Sequence, residues 1–107
     1  MTLLRGQVVR ADIGLDEPKL FVVVSNNSRN RHLPSVLAVR LTTSAKPALP
    51  SIVEVPAHEV VIGRVVCDEI VELWEDEVFA TLGTLSVRTL RAVDRGLAAA
   101  LGLSGID

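Results

Sequence analysis

With 107 residues, 49% of them hydrophobic, and a mean hydropathy of +0.40, the chain has the size of one domain and enough apolar content to bury a core, which excludes intrinsic disorder. Three aromatic side chains (Phe21, Trp74 and Phe79) are too few for a base-stacking platform, and the lone Cys67 excludes an internal disulfide and is expected as a small buried hydrophobe. The net charge of −2 hides an asymmetry of +4 over residues 1–50 against −6 over residues 51–107, so basic groups can gather into a local phosphate-binding face.

In chain order, residues 6–13 are predicted as a first strand, followed by a polar loop, Gly14 to Pro18, that carries Asp16 and Glu17. Residues 20–25 are a β-branched apolar run too short for a helix, and so a buried central strand. Asn26 to Pro34 is expected to be a polar, basic connection leading into a third strand at 35–43. Pro47 and Pro50 mark residues 44–51 as an exposed loop. A short strand at 52–55, an irregular stretch with room for one helical turn at 56–63, a strand at 64–73 and a last short strand at 79–85 follow. The period then changes: after the N-cap Ser86, residues Leu90, Val93, Leu97 and Leu101 recur at helical spacing up to Gly102. The whole of 1–107 is expected to be a single mainly β domain, a small barrel closed by one C-terminal helix. No apolar run approaches the ~18 residues of a membrane span, and the N-terminus lacks the apolar stretch of a signal peptide, so a cytoplasmic protein is expected.

Gly-rich phosphate loops, Ser/His/Asp arrangements and zinc-ligand spacings are missing from the sequence. Polar groups instead meet at two strand ends. Alternation places Arg40 and Thr42 on one face of the third strand, ~6–7 Å apart. Lys19 enters the second strand directly after Pro18. A cation and a hydroxyl at neighbouring strand mouths suit a phosphodiester, the cation stabilising charge on its oxygens and the hydroxyl orienting a group. Arg40 has a simpler alternative, an ion pair with an acid such as Glu69. His32 and His58 are expected in solvated loops.

Several segments occur in a familiar order: Leu4-Arg5-Gly6-Gln7-Val8, Val22-Val23-Val24-Ser25-Asn26, Val39-Arg40-Leu41-Thr42-Thr43, Cys67-Asp68-Glu69-Ile70 and Leu82-Gly83-Thr84-Leu85-Ser86. Together with the final helix they resemble the MazF/PemK toxins of toxin–antitoxin pairs over nearly the whole chain, and a mycobacterial branch in particular. The resemblance implies an SH3-like barrel of the CcdB/MazF type with a C-terminal helix. It also implies a homodimer and a metal-independent, sequence-selective endoribonuclease that cleaves single-stranded RNA, needs no cofactor and is inhibited by a cognate antitoxin.

Carried over residue by residue, the resemblance assigns catalysis to Lys19 and Thr42. Lys19 stands where the family has Arg, and Leu20 where it has Pro; Lys lacks the planar two-pronged donor geometry of Arg. Arg40, at a position usually Pro in the family, is therefore a third catalytic candidate. The implied reaction is 2′-OH attack on the adjacent phosphate, leaving a cyclic 2′,3′-phosphate. The general base is unassigned. Asn26, Asn27, Arg29, Asn30 and Arg31 are expected to contact splayed bases, with Thr43 and Ser44 beside the catalytic hydroxyl. Two other functions stay open: a CcdB-like gyrase poison, which the tail Leu103-Ser104-Gly105-Ile106-Asp107 argues against because it lacks a terminal Trp, and a catalytically weak module that binds an antitoxin.

Overall fold

The computed structural model describes residues 2–103. Six strands, β1 (Gln7–Ala11), β2 (Lys19–Val23), β3 (Ser35–Thr42), β4 (Ile52–Glu54), β5 (Arg64–Trp74) and β6 (Val78–Thr84), form one sheet in the order β4-β5-β3-β2-β1-β6. Every pairing is antiparallel. The helices are α1 (Asn27–His32) and α2 (Val87–Leu101), and a 3₁₀ turn (Glu75–Glu77) joins β5 to β6. The end strands β4 and β6 do not pair with each other, so the SH3-like sheet curls without closing its hydrogen-bond ladder.

The apolar run of β2 lies in the middle of the sheet because both of its faces are covered. Phe21 and Val23 pack with Val9, Ala11, Val36, Ala38, Leu73 and Val78 on one side. Val22 packs with Val8, Val39, Leu41, Val65, Cys67 and Val93 on the other. Each fully buried Val, Leu or Phe among them contributes roughly 1.5–3 kcal/mol relative to leaving it in water. The strand is thus consumed within one chain and leaves no apolar surplus for a second copy.

A single irregularity shapes the rest. Val39 pairs with Ile70, but Arg40 pairs with Val66, so Cys67, Asp68 and Glu69 of β5 have no register partner on β3. This bulge bends β5 from one apolar cluster, which holds Val65 and Cys67, to the other, which holds Leu73.

Helix α2 matches its predicted limits. Ser86 Oγ accepts from Thr89 N at 3.3 Å, and Gly102 closes the helix in the left-handed region at φ 71°. Its mid-helix Gly96 allows close approach to β5, since a Cβ there would lie 2.7 Å from Cys67 Sγ. Cys67 is fully buried, and burial, followed by the charges of Asp68 and Asp94, pushes its thiol up to about 12. Among the described residues no helix is long and apolar enough to cross a membrane.

One connection holds an element that the sequence pattern does not show. Within the polar, basic connection, residues 27–32 form the helix α1, with Asn26 Oδ1 accepting from Arg29 N at 2.8 Å. Arg29, Arg31 and His32 in its last turn favour the negative end of the helix dipole. A six-residue polar helix has no apolar periodicity, which is why the sequence pattern does not reveal it. Residues 56–63 are irregular, as expected, with turns and no helix. The tail from Ser104 to Asp107, on which the gyrase argument drew, lies outside the described residues.

Candidate active site

Because β2 and β3 are antiparallel with Leu20 opposite Leu41 and Phe21 opposite Arg40, the first residue of β2, Lys19, arrives beside the last of β3, Thr42. Alternation puts Lys19, Arg40 and Thr42 on the same face. There they line a cleft of about 250 Å³ between residues 17–20 on one side and 40–44 on the other. Lys19 Nζ is 3.1 Å from Glu17 Oε1; the lysine side chain is 26% exposed and the glutamate 74%. Arg40 sits at the β-bulge, and its Nε is buried with no hydrogen-bond partner among the described residues. The expected alternative, an ion pair with Glu69, is not formed there. Thr42 Oγ1 accepts from Ser44 N at 3.1 Å, which turns the chain sharply after β3 and leaves the hydroxyl proton free to donate.

Three residues that sequence reasoning missed hold this wall in place. Gly63, at φ 122°, packs directly on the Thr42 carbonyl, where any Cβ would collide with the carbonyl oxygen. Arg64 pairs across the sheet with Thr42 and reaches Thr43 O at 3.4 Å and Ser44 O at 3.3 Å, long contacts that still converge on the turn. Glu54 Oε1 accepts from Arg64 Nε at 2.9 Å and fixes the guanidinium. In the sequence, Arg64 reads only as the first residue of a strand, and Gly63 only as the turn before it.

The polar segment 26–31 is not part of the cleft. It follows the other end of β2, about 13 Å of strand rise beyond Lys19. Most of its polar groups serve the fold. Asn26 caps α1, Asn27 Oδ1 accepts from Arg5 N at 2.7 Å, and Arg29 donates to Ser35 O at 2.9 Å. Asn30 is buried and exchanges hydrogen bonds with Ser25: its Nδ2 donates to Ser25 O at 3.0 Å, and its Oδ1 accepts from Ser25 Oγ at 2.5 Å. Only Arg31 of the five stands exposed with no side-chain hydrogen bond among the described residues. His32 lies in α1 with Nδ1 2.7 Å from Ser28 O, and His58 lies 3.5 Å from Glu59, both outside the cleft. Among the described residues no three His, Cys, Asp or Glu side chains are grouped to hold a metal ion.

Residues 4–101 match the model of the PemK-like, MazF-like toxin of type II toxin–antitoxin systems. The chain belongs to this toxin family. Endoribonuclease MazF4 of Mycobacterium tuberculosis is 42% identical over 100 residues, covering 94% of this chain and 93% of that protein. Endoribonuclease MazF1 of Mycobacterium bovis matches to the same extent, 42% over 100 residues. A mycobacterial endoribonuclease solved in complex with its cognate antitoxin superposes with a TM-score of 0.90 at 41% identity, covering 96% of this chain and 98% of that one. The MazE–MazF complex of Deinococcus radiodurans gives a TM-score of 0.82 at 25% identity over 97% of this chain and 99% of that one. These likenesses agree with the ribonuclease resemblance and do not favour the gyrase-poison alternative.

Proposed function

We propose that this chain is the toxin of a toxin–antitoxin pair, a metal-independent, sequence-selective endoribonuclease that cuts single-stranded RNA in the Lys19–Arg40–Thr42 cleft. The observation that carries the reading is the convergence of two cations and one free hydroxyl on a single open cleft, in a chain that belongs to the PemK/MazF family. In-line attack by the ribose 2′-OH on its own 3′-phosphate builds negative charge on the phosphorus oxygens. Lys19 and Arg40 lie where that charge develops, and preorganised donors of this kind typically account for 10²–10³ in rate. Thr42, its oxygen already accepting from Ser44 N, keeps a proton to donate to the scissile phosphate. Thr43 and Ser44 lie on the same wall and position the adjoining nucleotide. Of the 26–31 segment, the exposed Arg31 is suited to a distant phosphate; the fold-bound Asn26, Asn27, Arg29 and Asn30 act indirectly, by holding α1.

The working unit is a cytoplasmic homodimer. Its antitoxin lays an extended acidic and apolar segment across the cleft and occludes RNA.

The test is digestion of an unstructured RNA in excess EDTA, with products analysed by mass spectrometry. Cleavage should persist and leave a cyclic 2′,3′-phosphate. Complete dependence on added magnesium or manganese would contradict this site.

A further inference from the structure

Cleavage by 2′-OH attack moves two protons, one off the nucleophile and one onto the leaving 5′-oxygen, and cations and a threonine do not remove the first. Among the residues lining the cleft, Glu17 is the one carboxylate and there is no histidine. Lys19 and Arg40 are cations, and the hydroxyls of Thr42, Thr43 and Ser44 are far too weak as bases. Glu17 also touches Lys19, Oε1 to Nζ, at 3.1 Å. With 74% of its side chain exposed, its carboxylate is open to an incoming ribose. Pro18 stands between the two residues and restricts the backbone that carries them.

We propose that Glu17 and Lys19 act as a proton-transfer pair, Glu17 as the base for the 2′-OH and Lys19 as the acid for the leaving group; this rests on the ribonuclease reading above. The 2′-oxygen forms its bond to phosphorus as its proton passes to the Glu17 carboxylate. The P–O5′ bond breaks with its electron pair on O5′, which takes a proton from the Lys19 ammonium. Glu17 is then protonated and Lys19 neutral. Their direct contact returns the proton from carboxyl to amine in one step, so the site resets without an outside group. Arg40 keeps its charge throughout and faces the non-bridging oxygens.

A substrate in which sulfur replaces the bridging 5′-oxygen separates the two roles, because a thiolate leaves without being protonated. On ordinary RNA, Glu17→Gln and Lys19→Ala should each slow turnover by about 10²–10⁴, the range for losing a general acid or base. On the 5′-thio substrate, Lys19→Ala should regain at least about tenfold of its deficit on ordinary RNA, the remainder being its charge beside the phosphorus oxygens, whereas Glu17→Gln should stay slow. Glu17→Asp, which keeps a shorter carboxylate, should recover part of the rate. Affinity of Glu17→Gln for a 2′-deoxy analogue, which cannot react, should be unchanged or tighter. Normal turnover by Glu17→Gln on ordinary RNA overturns the pair, as does a 5′-thio substrate that fails to relieve Lys19→Ala. If the unmodified protein cuts no RNA at all, the ribonuclease reading itself is what fails.

Discussion

Arg40 occupies the position where β5 skips three residues relative to β3, and its guanidinium is committed to no partner among the described residues. A buried unsatisfied donor ordinarily costs about 1–3 kcal/mol, so such a group is retained most readily where a ligand completes it. Lys19, by contrast, is already engaged with Glu17. The two cations therefore differ in what they can offer a phosphate: Arg40 a fixed charge with a planar fork, Lys19 a proton that can leave. Arg40→Ala is expected to lower turnover by roughly 10²–10³. Arg40→Lys should restore little of it, because a flexible point charge does not reproduce the two-pronged contact. Steady-state kinetics on a short RNA checks both, and a loss below threefold in Arg40→Ala would remove Arg40 from charge stabilisation.

Between β4 and β5, the loop of residues 55–63 links the cleft to helix α2. At its centre the Glu59 carboxylate, 3% exposed, accepts from Ser86 N at 3.1 Å and Ser86 Oγ at 2.6 Å, and also from Thr89 Oγ1. A negative charge here is favoured by the N-terminal end of the helix dipole. Burial alone would raise the Glu59 pKa, but the hydrogen bonds from Ser86 and Thr89, aided by nearby His58, outweigh it and hold it below the ordinary carboxylate value. Since the folded pKa lies below the unfolded one, the stabilisation is complete above the ordinary carboxylate range and disappears as pH falls through the depressed folded value. Glu59→Gln should therefore be destabilised by about 1–3 kcal/mol at neutral pH, with the difference from the unmodified protein shrinking on acidification. Urea melts at neutral and acidic pH measure both. Because the same loop ends at Gly63 against Thr42, the clamp also steadies the wall of the cleft.

At the scale of the molecule, the homodimer that the family resemblance implies needs an apolar surface left open by the fold. Strand β2 is covered on both faces within the chain. One exposed apolar group lies on β3 and β5, where Leu37, Ile70 and Trp74 are 36%, 38% and 44% exposed. Their register, with Leu37 opposite Glu72, Val39 opposite Ile70 and Ser35 opposite Trp74, places them on one face. A two-fold contact there would cover this patch in both copies. Sedimentation at micromolar concentration should give twice the single-chain mass of 11.5 kDa, and Trp74→Glu should shift the population toward one chain.

The strands and α2 were legible in the sequence because each has a local pattern: the continuous β-branched run of β2, the alternation of β3, and the Leu90–Val93–Leu97–Leu101 spacing ending at Gly102. The convergence of Lys19, Arg40 and Thr42 was legible too, since two neighbouring antiparallel strands necessarily bring the start of one beside the end of the next. The helix in segment 26–31 was not legible, because amides and guanidiniums that cap and brace a short helix give no apolar period. Only the tertiary structure brought Gly63 and Arg64 against Thr42, and only it turned Glu59 into a cap on a helix 27 residues away. Those contacts depend on cross-strand register and on one β-bulge, both of which arise from the packing of distant segments rather than from any period in the local chain.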